Sequence, residues 1–336
     1  MSSAKEESIK SVIDPATGEF KRPAAQFRDF ISSKSNTKFP PEKGRYHLYV
    51  SYACPWAHRT LIVRKLKGLD DIISFTSVHW YMDLGGVGWR FVTPDENLPG
   101  DNVVPDPING VQNIRELYLL ADPNYTGRFS VPVLWDKKLK TIVSNESSEI
   151  IRMLNTEFDG LGGEKFRDVT LVPEELSEKI DEMNAWIYDD LNNGVYKSGI
   201  AKTQEAYEKA VTAVFNSLER IENILQSSSG QYLLGSQLTE VDVRLYPTIV
   251  RFDVVYVTLF KTNLKTIRDG YPNIHRWLQH LYWDIPAFKD TTNFEHIKKH
   301  YFKSLTPVNP DGIVPLGPLP DILEKSLDAR AERKFN

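Results

Sequence analysis

The spacing of apolar positions changes several times along this chain. Residues 1 to 43 show no period: they are polar, with scattered Pro, Ser and Lys, and read as an N-terminal extension. Tyr46 to Ala53 is rich in β-branched and aromatic residues, a strand pattern. A helical pattern follows, carrying Leu61, Ile62, Val63 and Leu66, with Gly68 as its C-terminal stop. Ile72 to Trp80 reads as a second strand. From 81 to 127 the pattern is interrupted by Gly85, Gly86, Gly88, Pro94, Pro99, Pro105 and Pro107, which marks a long insertion with a short helix at Ile114 to Leu120. Regular alternation returns at Ser130 to Trp135. Asp136 to Lys140 suits a hairpin turn, and Thr141 to Val143 a further strand. Asn145-Glu146-Ser147 then opens a helix through Ile150, Ile151 and Leu154.

The order strand, helix, strand, insertion, strand, strand, helix is that of a thioredoxin-like α/β domain, assigned here to residues 44–160 with the insertion at about 81–127. Gly160-Leu161-Gly162-Gly163 reads as the start of a linker. From Pro173 the pattern is helical. Tyr207, Val211, Val214, Leu218, Ile221 and Leu225 form one stripe at alternating four- and three-residue steps. Thr239 to Asp242 resembles a capping box, with Asp where Glu is usual. An all-helical domain is therefore expected over 161–302. Residues 303–336 read as a C-terminal extension, with five prolines between Pro307 and Pro320 and then a charged helical tail.

Composition narrows the class. With 336 residues, 41% of them hydrophobic and 26% charged, the chain has material for two cores. A net charge of −4 argues against nucleic acid or an anionic membrane as partner. No apolar run approaches the ~18 residues that span a bilayer. Met1 to Glu7 is polar and carries acidic residues, so no secretory signal or transit sequence is expected. A single cysteine excludes an internal disulfide framework and suits a reducing compartment, so a cytoplasmic protein is expected.

That cysteine, Cys54, sits where a strand ends and a helix begins. A lone cysteine is often a small buried hydrophobe, but unpaired N–H groups at a helix N-terminus favour a thiolate and can lower a thiol's pKa from about 8.5 into the range of about 3.5–7.5. Pro55 is tolerated in a first helical turn. His58 and Arg59, one turn on, either add positive potential or form a solvated face. Ala57 stands where a C-x-x-C site would place its resolving thiol, and no second cysteine exists. Any disulfide that Cys54 forms in a catalytic cycle must be resolved from outside, and glutathione is the natural candidate. Two features suit it. A cis bond before Pro132 would expose the backbone of Val131 to a peptide-like ligand. Ser147 with nearby N–H groups can hold a carboxylate and Glu146 can pair with an ammonium, although both residues also suit a plain helix cap.

Together these segments resemble the cytosolic glutathione transferase fold, and in particular the Xi class, the glutathionyl-hydroquinone reductases. The resemblance is carried by Tyr52-Ala53-Cys54-Pro55-Trp56-Ala57-His58-Arg59, by Ser130-Val131-Pro132-Val133-Leu134-Trp135-Asp136 and by Val143-Ser144-Asn145-Glu146-Ser147. Asn192-Asn193-Gly194-Val195-Tyr196, Arg251-Phe252-Asp253-Val254-Val255-Tyr256 and Asn309-Pro310-Asp311-Gly312-Ile313-Val314-Pro315 extend it over roughly residues 10–320. It implies that Cys54 is the nucleophile, that Trp89, Arg128, Val131, Glu146 and Ser147 bind glutathione, and that Tyr196, Tyr256 and Tyr301 line a quinol pocket, with Tyr196 as proton donor. It also implies a homodimer. The activity implied is reduction of glutathionyl-hydroquinones with glutathione as co-substrate. Two alternatives stay open: an omega-like thioltransferase or dehydroascorbate reductase using Cys54, and a non-catalytic ligand carrier on the same fold. Gly85-Gly86-Val87-Gly88 lacks the setting of a phosphate loop. His296 and His300 are four apart without a third ligand, so no metal is expected.

Overall fold

The computed structural model describes residues 12–161 and 168–325. The extreme N-terminus, the Gly162-Gly163 part of the linker and the charged C-terminal tail lie outside these residues. The chain divides into two compact units. Of the described residues, one comprises 22–161, 168–170 and 291–307; the other comprises 12–21, 171–290 and 308–325.

The first unit is built on a four-stranded sheet. Its strands are β1 (Tyr46–Val50), β2 (Ser74–Ser77), β5 (Val133–Asp136) and β6 (Thr141–Ser144), in the order β2-β1-β5-β6. β1 pairs parallel with β2 and antiparallel with β5, with Tyr49 opposite Val133. Every residue of β1 is buried, as a central strand covered on both faces requires. Helices α1 (Pro55–Leu66) and α3 (Ser147–Thr156) pack against each other. β1 is shorter than its apolar pattern. At Ser51 the chain turns: the Cys54 N–H donates to the Ser51 carbonyl at 3.1 Å and the Ala53 N–H to the Ser51 hydroxyl at 3.2 Å. This turn delivers Cys54 to the start of α1.

The insertion contains a hairpin, β3 (Met82–Asp83) and β4 (Gly88–Trp89), and helix α2 (Ile114–Ala121). The hairpin was not legible in the sequence. The glycine cluster is its turn, and Gly88 takes φ +74°, a conformation that favours glycine. α2 is tied to the sheet by Tyr118. Its hydroxyl donates to the Ser130 carbonyl at 2.9 Å and accepts from Asn145 Nδ2 at 2.9 Å.

The second unit is helical. α4 (Ser177–Trp186) runs through a wide π-helical turn, Ile187–Asn192, into α5 (Gly194–Ile200). α6 (Gln204–Ser227) buries the expected stripe from Val211 to Ile221, while Tyr207 and Leu225 at its ends are half-buried. α7 (Glu240–Arg251) continues into a second π-helical turn, Phe252–Tyr256, and α8 (Pro272–Asp284) packs against α6. The capping box is present. Asp242 accepts from Thr239 N, Thr239 Oγ1, Leu233 N and Trp277 Nε1, all at 2.9–3.1 Å. Among the described residues no helix is long and apolar enough to cross a membrane. The last long helix, α9 (Phe294–Ser304), follows this unit in sequence but packs within the first.

Candidate active site

Cys54 is the N-cap of α1, with extended backbone (φ −76°, ψ 120°) and Pro55 in the first turn. Its side chain makes no capping hydrogen bond, and the first turn holds no acidic residue. The helix end is thus left positive beside the sulfur. The thiol is largely buried and lies 3.4 Å from the carbonyl oxygen of Val131. The Val131-Pro132 bond is cis, as the motif suggested. Strand β5 starts immediately after it, with Val133 opposite Tyr49 of β1.

The solvated-face alternative for His58 and Arg59 does not hold, since they are 0% and 2% exposed. Their roles differ. His58 Nε2 lies 3.0 Å from the Thr291 hydroxyl, so this side chain anchors the returning C-terminal segment. The Arg59 guanidinium lies 4.5 Å from the centroid of the Trp56 ring, and its Nη1 approaches Ser147 Oγ at 3.5 Å. Arg22 also lies over Trp56, at 4.8 Å.

Glu146 is the N-cap of α3. Its Oε1 accepts from the Ser148 N–H at 3.0 Å and from the Ser148 hydroxyl at 2.8 Å. The helix-cap role considered from the sequence is therefore real, and it is carried by Glu146 itself. Ser147 is buried at the first helical position, with its hydroxyl facing Arg59. Asn145, just before, joins three segments. Its Nδ2 donates to Tyr118, its Oδ1 accepts from Phe27 N at 3.1 Å, and its N–H donates to the Phe27 carbonyl at 3.1 Å.

Trp89 ends β4 and is buried. Its indole stacks on the ring of His300, with centroids 4.7 Å apart and planes at 26°. Tyr301, the next residue on α9, meets His300 edge-on at 5.2 Å and is 1% exposed. Arg128 presents an exposed side chain near the cis bond. Partial loss of water around its guanidinium and then the like charge of Arg22 lower its pKa from the ordinary arginine value. His79 and His296 are buried, and burial, which disfavours their charged forms, pushes each down to about 4.

In the second unit Tyr196 and Tyr256 are neighbours, at 6.2 Å and 59°. Tyr256 ends one π-helical turn and Tyr196 lies four residues after the end of the other, a feature frequent at functional sites. Phe260 lies parallel to Tyr256 at 5.3 Å and inclined to Tyr196 at 5.3 Å. Gly199 is required here, because a Cβ would come within 2.2 Å of the Phe260 ring. Tyr256 is fully buried and Tyr196 half-buried. The first unit thus contains Cys54, Val131, Glu146, Ser147, Arg128, Trp89 and Tyr301, in separate contacts that join Cys54 to Val131, Ser147 to Arg59, and Trp89 and Tyr301 to His300, while the second brings Tyr196 and Tyr256 together. Sequence reasoning missed Arg22 and Tyr118, and it named Asn145 only as part of a helix start and His300 only as half of a histidine pair. Arg22 and Tyr118 stood in no motif, and the roles of all four depend on contacts distant in sequence. Among the described residues no group of three or more His, Cys, Asp or Glu side chains can hold a metal ion.

The family profile of the glutathione S-transferase N-terminal domain matches residues 53–157, and that of the C-terminal domain residues 204–280. A crystal structure of the glutathione S-transferase Xi from Phanerochaete chrysosporium superposes with a TM-score of 0.88 at 59% identity, covering 93% of this chain and 96% of that one. This chain is a Xi-class glutathione transferase of the glutathionyl-hydroquinone reductase family. Glutathione S-transferase omega-like 2 of Schizosaccharomyces pombe is 55% identical over 91% of this chain and 95% of its own. Glutathionyl-hydroquinone reductase YqjG of Escherichia coli is 50% identical over 91% of both chains. A glutathione-bound structure of YqjG superposes with a TM-score of 0.81 at 48% identity, over 91% of this chain and 97% of that one. As a transferase of this class the chain is an enzyme with an N-terminal thioredoxin-like domain and a C-terminal helical domain.

Proposed function

We propose that this transferase reduces S-glutathionyl-hydroquinones to hydroquinones at Cys54, with glutathione as co-substrate. One observation carries the reading: the only cysteine of the chain stands at the N-cap position of a helix, where its side chain makes no capping hydrogen bond and no acidic residue occupies the first turn. Such a thiolate is stabilised for attack, and only a second molecule can resolve its disulfide.

In the proposed cycle, glutathione lies along Val131 with its peptide backbone. Its γ-glutamyl carboxylate meets Ser147 and the start of α3, and its ammonium meets Glu146. Trp89 and Arg128 complete the site. The Cys54 thiolate attacks the sulfur of the glutathionyl-hydroquinone. The carbon–sulfur bond breaks, the ring carbon keeps the electron pair, and Tyr196 protonates it. Tyr196 suits this role because it is half-exposed, whereas Tyr256 and Tyr301 are buried and would shape the pocket. The hydroquinone leaves, and Cys54 holds glutathione as a mixed disulfide. A second glutathione thiolate attacks that disulfide, releasing glutathione disulfide and the Cys54 thiolate. The net reaction consumes one glutathione per quinol reduced.

The reading extends to the division of labour among segments, with residues 44–160 carrying the main glutathione contacts and the helical segment that bears Tyr196 and Tyr256 serving the quinol, in a cytoplasmic homodimer. The test compares wild type with Cys54→Ser on glutathionyl-menadiol, with mass spectrometry for an adduct of about 305 Da on Cys54. Wild-type turnover, adduct formation and an inert serine variant are expected. No turnover by wild type would remove the quinol reading. Turnover only of small mixed disulfides would leave a thioltransferase, and an active serine variant would overturn the mechanism.

A further inference from the structure

The segment Thr291–Ser304 follows Leu171–Asp290 in sequence but belongs to the first unit, where it meets the β1–α1 turn, the residue before the insertion and the insertion itself. Asn293 Nδ2 donates to the Pro99 carbonyl at 3.0 Å. His296 packs edge-on against Tyr52, with centroids 5.7 Å apart. His300 Nδ1 lies 3.0 Å from the Trp80 carbonyl, and Ser304 Oγ accepts from the Met82 N–H at 3.0 Å. Between Trp80 and Pro99 lies the β3–β4 hairpin that carries Trp89. The ring of His300 stacks on that indole, and its orientation is fixed by the bond to Trp80.

We infer that His300 is a positioning residue for glutathione: it fixes the plane of Trp89, so that glutathione affinity depends on a helix outside the thioredoxin-like sequence. The inference rests on the reading of Trp89 as a glutathione contact. The hairpin ladder is only two residues long, and β4 is further held by its packing against α2 and by the Arg90–Asn113 bridge. These fix the backbone, and the stacked imidazole is the ring contact that fixes the plane of the indole. A carbonyl partner on Nδ1 makes that nitrogen the donor in the neutral ring, and so keeps the ring in one orientation.

The test measures the affinity of the reduced protein for reduced glutathione by calorimetry, together with the split between KM and kcat on glutathionyl-menadiol. His300→Ala is expected to raise Kd and KM about fivefold, the factor typical of one aromatic pair, with kcat changed less than about twofold. His300→Phe keeps a flat ring and should restore affinity, whereas His300→Gln keeps a hydrogen-bond donor without the ring and should not. In a Trp89→Ala background, His300→Ala should add less than about a twofold further loss, because its partner is gone. Unchanged affinity in His300→Ala, rescue by Gln but not Phe, or full additivity with Trp89→Ala would each overturn the inference. Unchanged affinity in Trp89→Ala alone would instead remove the reading of Trp89, and the inference with it. Thermal melts of each variant separate a folding defect from a lost contact. His300→Phe carries the test if the alanine variant does not fold, and weakened affinity in a stably folded His300→Phe then overturns it.

Discussion

Two helices of the first unit begin in opposite ways. α3 starts as stable helices usually do: Glu146 caps its own helix through the Ser148 N–H, and Glu149 in the first turn pairs with Arg28. α1 starts with Cys54, which makes no capping bond, and with no acidic residue in its first turn. Cysteine is a poor cap, so α1 gives up stability that α3 keeps. What α1 gains is an N-terminus whose positive end acts on a sulfur. In the function proposed above, the helix end left incomplete is the reactive one, and the completed one serves to hold a ligand. Arg59 connects them, since its guanidinium lies over Trp56 of α1 and reaches towards Ser147 of α3.

The strongest way to break this comparison is at the sulfur. Cys54→Ser should lower kcat/KM for glutathionyl-menadiol by more than about a thousandfold, because a serine hydroxyl does not ionise near neutral pH. Steady-state kinetics checks it, and residual activity above that level would mean that the uncapped end is not where chemistry occurs. Arg59→Met comes next. It keeps volume over Trp56 but removes a buried charge near both helix starts, and a loss in kcat/KM of about 30-fold is expected. Slower alkylation of Cys54 by iodoacetamide at pH 7 would locate part of that loss at the thiolate, and an unchanged rate would confine it to Ser147. Glu146 separates capping from binding. Glu146→Ala and Glu146→Gln should both raise KM for glutathione about tenfold, since both lose the charge facing an ammonium. Only Glu146→Ala should also lose about 1 kcal/mol of stability, because glutamine keeps an oxygen for the Ser148 N–H. Equal thermal melts for the two variants would show that the cap is dispensable.

Much of this arrangement was written in local patterns. The strand before Cys54, the helix after it, the paired strands around Lys137–Lys140 and the Thr239–Asp242 cap all depend on residues close in sequence, and they lie within a few residues of the expected positions. The sequence pattern overran the ends of β1 and β2. Apolar residues continue beyond the ladder because turns such as Ser51–Ala53 are buried too. The side chains that support the site were not legible. Tyr118 meets Ser130 and Asn145 across 12 and 27 residues, and His300 meets Trp80 across 220. Such contacts depend on how the chain returns, and a period within α9 does not say which unit its apolar face will cover. His58 and Arg59 show the same limit, because their spacing fits a solvated face while the fold buries both.

The smallest expected effect sharpens the comparison most, because it separates the worth of a cap from the worth of a charge. If α1 lacks a cap, Cys54→Ser should stabilise the protein even as it inactivates it, by about 0.5–1 kcal/mol, or roughly 2 °C in Tm. Cys54→Asp should add a helix-end charge to the cap and exceed serine at neutral pH. The sign with pH follows. A carboxylate favoured in the folded state has its pKa depressed there, so its contribution is complete above the unfolded value of about 3.9 and is lost as pH falls through the folded value. Cys54→Ser, which has no titrating group at this position, should show no such loss when melts are compared between neutral and acid pH. The site is largely buried, however, and the Val131 carbonyl faces it. If aspartate destabilises while serine stabilises, desolvation and the carbonyl outweigh the helix end. The N-terminus of α1 would then be tuned for a large, polarisable sulfur anion rather than for anions in general.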